Sequence, residues 1–362
     1  MDYQKFPARG IANAAPLFNF AQDPSPELFQ TIEYGNQGRV QQADFEELLR
    51  ATQTTAFIVI QDDNILHEGY YNGYTRDSVV TSFSMAKSFG SALIGIAIDE
   101  GYIGSVQDPV IKYIPELRGR GLDELTIRHL LTMSSGIEYT EDEGMFVLQK
   151  PFSGDALTYY YPDLRDLALD VQPSGDPIGS YYHYNNYHPL LLGMILERTT
   201  HRPVAEYLEE KIWQQLGMEY PASWSLDSEE AGFEKMESGI NGRAIDFARF
   251  GRLYLNNGNW NGKQIVSEEW VRESTSPDPT DSRPWHVDQA FKENGGNNNG
   301  YYGYMWWGRT KGEGKYNFYA RGHLGQIIAV SHEKRAVVVR FGKEGGEVSW
   351  PDVADAVFSK LP

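Results

Sequence analysis

The 362-residue chain contains no cysteine. That single absence excludes disulfides, thiol catalysis and thiolate-bound zinc or iron–sulfur centres. Cationic residues are in short supply: 32 Lys and Arg stand against 50 Asp and Glu, a formal charge of −18. With no basic patch to offset it, this balance argues against a nucleic-acid partner and reads as a solubilising surface. Apolar runs long enough to span a bilayer are also missing. The segment Met1 to Gln22 lacks the basic region and apolar core of a secretory signal. The expectation is a soluble, cytoplasmic protein without a membrane partner. Two hydrolytic motifs are absent as well. Without Gly-x-Ser-x-Gly the chain does not read as an α/β-hydrolase, and without His-Glu-x-x-His it does not read as a zinc hydrolase.

What is present centres on Ser84-Met85-Ala86-Lys87. A serine and a lysine three residues apart on a helix share a face, so an amine can reach a hydroxyl that is otherwise a poor nucleophile. The run from Phe83 to Glu100 is rich in Ala, Ile, Leu and Phe, and Gly101 stands where a helix C-terminus wants a left-handed residue. Thr81 and Ser82 are candidate caps. Ser84 is then expected in the first turn, where free N–H groups and the helix dipole favour negative charge and its own amide can be half of an oxyanion hole. A second copy, Ser331-His332-Glu333-Lys334, lies in an apparent turn between strands and has none of this context.

Around this helix the pattern divides. Residues 1–40 read as loop with one short polar helix, followed by a helix over Gln42–Ala51 and a hairpin of Ala56–Ile60 with Ile65–Tyr71. From Gln107 to Leu255 the pattern is mostly helical, and Pro277 to Gly300 reads as a long surface loop. Strands are expected at Tyr301–Arg309, Tyr316–Arg321, Gln326–Ser331 and Ala336–Phe341, then a helix over Pro351–Lys360. The fold class is therefore α+β, an α/β sandwich: an antiparallel sheet from the two ends of the chain, flanked by helices, with a mostly helical insertion. The expected division is 1–80 plus 300–362 for the sheet domain and 81–299 for the helical subdomain, with the active site in the cleft between them.

Two further segments carry candidate chemistry. In Tyr182-His183-Tyr184-Asn185-Asn186-Tyr187, a loop before an apolar helix, Tyr184 and Asn186 can present a phenol and an amide together. A lysine beside that phenol eases its ionisation, although loop aromatics also serve simply as packing. In Arg321-Gly322-His323-Leu324-Gly325-Gln326, a glycine on a strand permits close backbone approach. The amide of Gln326 is a possible second oxyanion donor, while His323 taken alone reads as a structural edge-strand histidine.

Taken in order, Ser84-x-x-Lys87, Tyr184-x-Asn186 and His323-x-Gly325 resemble the three motifs of the β-lactamase-related serine hydrolases, the penicillin-binding-protein-like enzymes. Class C, with Tyr-x-Asn at the second motif, is the nearest branch. Thr126–Gly136 and Ala244–Leu253 resemble further segments of that family, so the similarity runs from about Gln53 to Phe341. The resemblance implies a β-lactamase/transpeptidase-like fold and no cofactor or metal. It implies Ser84 as acylated nucleophile, Lys87 and Tyr184 as proton-transfer partners, and the Ser84 and Gln326 amides as oxyanion hole. Asn186, His323, Leu324 and Gly325 would contact substrate, with Asn186 also bonded to Lys87.

The third motif departs from true β-lactamases, which carry Lys-Thr-Gly where this chain has His323-Leu324-Gly325. Leu324 cannot hydrogen-bond a substrate carboxylate, which disfavours penicillin or cephalosporin turnover. The pattern is closer to 6-aminohexanoate-dimer hydrolases and family VIII carboxylesterases, implying a small ester or linear amide as substrate. Tyr159, Tyr160, Tyr161, Tyr181, Tyr182, Trp306 and Trp307 are candidate pocket aromatics. The alternatives are β-lactamase or D-amino-acid peptidase activity at the same site, and a catalytically silent scaffold on the same fold.

Overall fold

The computed structural model describes residues 2–36, 39–140, 153–283 and 299–362. After a 3₁₀ turn over Asp2–Lys5 come strand β1 (Ala8–Ile11), a two-residue strand β2 (Ala21–Gln22), a second 3₁₀ turn over Pro26–Phe29, and a hairpin of β3 (Thr31–Asn36) with β4 (Arg39–Asp44). Helix α1 (Phe45–Ala51) and the hairpin β5 (Thr54–Gln61)–β6 (Asn64–Tyr70) follow. Then β7 (Val80–Thr81) feeds a 3₁₀ turn, Phe83–Met85, that runs directly into α2 (Ala86–Asp99). The middle of the chain holds α3 (Ile127–Leu131), α4 (Gly154–Tyr160), α5 (Leu164–Leu169), α6 (Tyr187–Thr200) and α7 (Val204–Leu208). Strands β8 (Ala222–Ser225) and β9 (Ile240–Gly242) come next, with α8 (Ala244–Leu255), the small pair β10 (Asn259–Trp260) and β11 (Lys263–Gln264), and α9 (Glu268–Thr275). The last part contributes β12 (Gly300–Tyr302), β13 (Trp307–Gly312), β14 (Lys315–Gly322), β15 (Gln326–Ser331), β16 (Ala336–Gly342) and α10 (Trp350–Lys360).

Eight of these strands form one sheet, in the order β12-β13-β14-β15-β16-β5-β6-β2. All its pairs are antiparallel except β2 with β6. Both faces are covered, which is why β5 is buried from Thr54 to Ile60 and reads as a continuous apolar run. Helix α8 lies on one face, with Gly251 against Ile328 and Val337. Trp350 of α10 lies on the other, against Phe57 and Arg340. Val337 and Arg340 differ by an odd number of residues and so point to opposite faces.

A second sheet, ordered β1-β8-β9-β7, matters more for Ser84. Val80 and Thr81 pair with Gly242 and Asn241, so the chain enters the 3₁₀ turn from a fixed strand. Helix α2 is buried nearly all round. Phe89 stacks on Phe250 of α8 with ring centroids 3.6 Å apart. Met236 fills the notch left by Gly90 of α2 and Gly193 of α6; a Cβ at Gly193 would collide with it, and one at Gly90 would crowd it.

Several local expectations change. The first forty residues hold two short 3₁₀ helices, Asp2–Lys5 and Pro26–Phe29, together with strands in place of the expected loop; β3 alternates buried Ile32 and Tyr34 with exposed neighbours, whereas β4 is exposed along nearly its whole length. The expected Gln42–Ala51 helix starts at Phe45, because Asp44 is the cap, accepting from the Glu47 amide at 2.9 Å. The expected Tyr301–Arg309 strand is broken between β12 and β13, where Met305 takes φ = 62°. Neither Thr81 nor Ser82 caps α2: Thr81 belongs to β7, and Ser82 makes no capping bond. Most of the expected Pro277–Gly300 loop lies outside the described residues.

Candidate active site

Ser82 fixes the approach to the nucleophile candidate. Its amide donates to Ile240 O at 2.8 Å, and its hydroxyl donates to Ser238 O at 3.2 Å. Phe83 then adopts φ = 44°, a left-handed conformation that costs a non-glycine residue about 1–3 kcal/mol and persists only where the surroundings impose it. This bend sets Ser84 at the mouth of α2, where it remains partly exposed.

Lys87 lies one turn on and is only 2 % exposed. Its Nζ is 2.9 Å from Ser84 Oγ and 2.8 Å from the carbonyl oxygen of Glu237. Burial pushes the Lys87 amine down to about 7, against the opposing pull of the Glu237 and Asp155 carboxylates. Near neutral pH the amine is therefore poised between a charged donor and a neutral acceptor.

Tyr184 reaches the same lysine from the loop before α6. Lys87 Nζ lies 4.9 Å from its ring centroid, and the ring stacks on Trp307 at 5.7 Å. Arg321 covers Trp307 at 4.9 Å. The loop is shaped by Asn185, whose amide donates to Ile137 O at 3.3 Å and whose oxygen accepts the Tyr187 amide at 2.8 Å. Asn186 sits nearby but does not bond Lys87; its amide donates to Asp155 Oδ1 at 3.0 Å. Asp155 also accepts from Tyr139 at 2.5 Å.

The third motif is arranged differently from its sequence reading. His323, Leu324 and Gly325 form a tight turn between β14 and β15, with Leu324 at φ = 60° and Gly325 at φ = 74°. His323 meets Phe83 edge-on at 5.4 Å and is exposed. Gly325 packs on Trp350 and Arg340, away from the serine, and Arg340 holds the Leu324 carbonyl at 2.6 Å. The Gln326 assignment is overturned. Its N–H is directed to the His323 carbonyl, and its side chain is bridged to Gly342 at 2.8 and 2.7 Å. A donor so occupied cannot also serve an oxyanion. The glycine that allows close approach is Gly322, where a Cβ would overlap Ser82 O and crowd Phe83.

The second Ser-x-x-Lys is a fastening: Lys334 Nζ donates to Leu361 O at 2.7 Å. Of the candidate aromatics, Trp307 and the buried Tyr182 belong to the cluster around Tyr184. Trp306 is core, 4.5 Å from Tyr254 and 5.3 Å from Phe318. Tyr159 packs on Phe6 at 5.4 Å, and Tyr160 and Tyr181 are exposed. His188 is buried, its Nε2 2.5 Å from Ser135 Oγ, and burial pushes it down to about 3. Sequence reading missed Asp155, Lys235 and Glu237. The last two sit in Lys235-Met236-Glu237-Ser238-Gly239, whose one visible signal is a pair of charges just ahead of the Ala244–Leu253 segment.

Comparison with known proteins supplies relatives. A family model described as Beta-lactamase matches residues 42–359. The chain is 28% identical over 323 residues to the 6-aminohexanoate-dimer hydrolase of Paenarthrobacter ureafaciens, covering 85% of this chain and 76% of that one. Over a shorter stretch of 122 residues, 30% of each chain, it is 34% identical to Esterase EstB of Burkholderia gladioli. The structure of a "Putative 6-aminohexanoate-dimer hydrolase from Bacillus anthracis" superposes with a TM-score of 0.78 at 25% identity, covering 98% of this chain and 89% of that one. The fold is that of the β-lactamases and penicillin-binding proteins.

Proposed function

Since the chain belongs to the β-lactamase family of serine hydrolases, we propose that it cleaves small esters or linear amides through an acyl-enzyme on Ser84. The observation that carries this reading is the 2.9 Å contact between Ser84 Oγ and a buried Lys87 amine held near neutrality. With one N–H given to Glu237 O, the neutral amine turns its lone pair to the Ser84 hydroxyl and accepts its proton. Ser84 Oγ attacks the acyl carbon. The bond to the leaving oxygen or nitrogen then breaks, and that atom takes the proton from Lys87, with Tyr184 as relay. Water, activated through the same pair, attacks the ester carbon and frees Ser84. General-base help of this kind is worth ~10²–10⁴ in rate.

The developing oxyanion falls at the start of α2, where the Ser84 amide and the helix dipole favour negative charge. We assign the second donor to the Gly322–His323 peptide, because that end of β14 presses on residues 82 and 83. Leu324 offers no hydroxyl for a carboxylate, which favours esters and linear amides over β-lactams. The relatives named as 6-aminohexanoate-dimer hydrolase and esterase fit this preference.

Labelling with a fluorophosphonate ester tests the reading. The native chain takes up one label and Ser84→Ala none; an unlabelled native chain would favour a silent scaffold. A panel of short-chain p-nitrophenyl esters, nitrocefin, D-amino-acid peptides and aminohexanoate oligomers then ranks the substrates.

A further inference from the structure

The segment behind Lys87 holds an ion pair that stability alone does not explain. Lys235 and Glu237 are 1 % and 2 % exposed, with Nζ and Oε1 3.6 Å apart. Burying such a pair costs desolvation that its attraction often fails to repay, and apolar replacements are commonly neutral or stabilising. Yet Lys235 is enclosed, its Nζ 4.4 Å from the ring centroids of both Phe6 and Tyr159, and it donates to the Tyr159 carbonyl. On the other side, Glu237 Oε1 accepts from Ser238 at 2.8 Å, while Oε2 is buried with no hydrogen-bond partner among the described residues.

The backbone of this segment is the link to the site. The Glu237 carbonyl accepts Lys87 Nζ at 2.8 Å, and the next carbonyl, of Ser238, accepts the Ser82 hydroxyl at 3.2 Å. Met236, between the two charged residues, is the wedge between α2 and α6. Among the described residues, the polar groups around Lys87 are Ser84, Asp155 from α4, Tyr184 from the loop before α6, His188 from α6, and Glu237. Glu237 is also paired with a buried cation, Lys235.

We infer that Lys235 and Glu237 are positioning residues for the nucleophile, fixing the carbonyl that orients the Lys87 amine and setting the charge which that amine feels. The inference rests on Lys87 being the proton acceptor of Ser84. Its sign is defined. Removing the Glu237 charge leaves the Lys87 ammonium less stabilised, so the amine loses its proton at lower pH. Removing Lys235 leaves the Glu237 charge unopposed and moves Lys87 the other way.

The test is a ¹³C NMR titration of the full chain with lysine labelled at Cε, the Lys87 signal being assigned by its loss in Lys87→Met. Glu237→Gln, nearly isosteric and still an acceptor for Ser238, should lower the Lys87 midpoint by about one pH unit. Lys235→Met should raise it, and the double variant should return it towards the native value. A midpoint unmoved in folded Glu237→Gln overturns the inference, and that variant decides alone if Lys235→Met fails to fold. The titration uses no substrate, so absence of fluorophosphonate labelling on the native chain would count against the acyl-enzyme reading, and an unmoved midpoint against the ion pair.

Discussion

Gly322 is pressed against the carbonyl oxygen of Ser82, so closely that no side chain fits between them. The contact brings the end of β14 beside the bend that presents Ser84. Gly322→Ala should therefore push the strand away and cut ester hydrolysis by roughly 10²-fold, the scale of a 1 Å misplacement, while the protein stays folded. Gly325→Ala should behave oppositely, because its φ of 74° and its contacts with Trp350 and Arg340 concern the hairpin and not the serine. It should lower Tm with a smaller effect on kcat/KM in what remains folded. Paired thermal melts and ester kinetics check both.

Lys87 makes activity depend on pH with a fixed sign. In the proposed mechanism the reactive form is the neutral amine, and the group is held at about 7. The rate should climb as pH rises through that value and level off above it. A pH profile of kcat/KM flat from 5 to 9 would contradict this (about two units either side, ~10²-fold in protonation ratio).

The same displacement loads the fold. Lys87 titrates near 10.5 when unfolded and at about 7 when buried, so between these values the unfolded chain binds the extra proton. The penalty on the native state is absent above about 10.5, grows as pH falls, and is complete below about 7. Lys87→Met should be inactive yet more stable than the native chain at neutral pH, by an amount on the order of a few kcal/mol. That advantage should shrink as pH rises towards 10.5. Urea denaturation at several pH values measures it.

Tyr184→Phe keeps the ring stacked on Trp307 and removes only the hydroxyl. It should lower turnover by ~10²–10⁴ while leaving Tm nearly unchanged. Burst kinetics should show whether acylation or deacylation suffers more.

How much of this was legible depended on distance along the chain. Ser84 and Lys87 could be read directly because a helix turn sets their spacing. Tyr184 became interesting through resemblance, since no local rule links it to residue 87. Lys235, Glu237 and Asp155 were invisible because nothing local says which charges will come to lie beside Lys87; that is decided by how distant segments pack around α2. Gln326 was misassigned for a different reason. An oxyanion donor is a backbone group, and the sequence did not reveal that Leu324 and Gly325 would both turn left-handed, spending the Gln326 N–H on the His323 carbonyl. Among the strands, β5, β15 and β16 were readable as apolar runs, whereas β4 is polar and β3 offered only the short alternation of Ile32 and Tyr34.

The pairing of β5 with β16 joins residues 54–61 to residues 336–342. During synthesis, β5 leaves the ribosome with β6 as its hairpin partner, while the neighbour on its other edge has yet to be translated. At ~5–20 residues per second that edge waits on the order of 15–60 s. It is an apolar strand, the kind most prone to pairing with another nascent chain. Yield in a cell should accordingly depend on how well chaperones shield that one edge, and slowing translation should aggravate the loss.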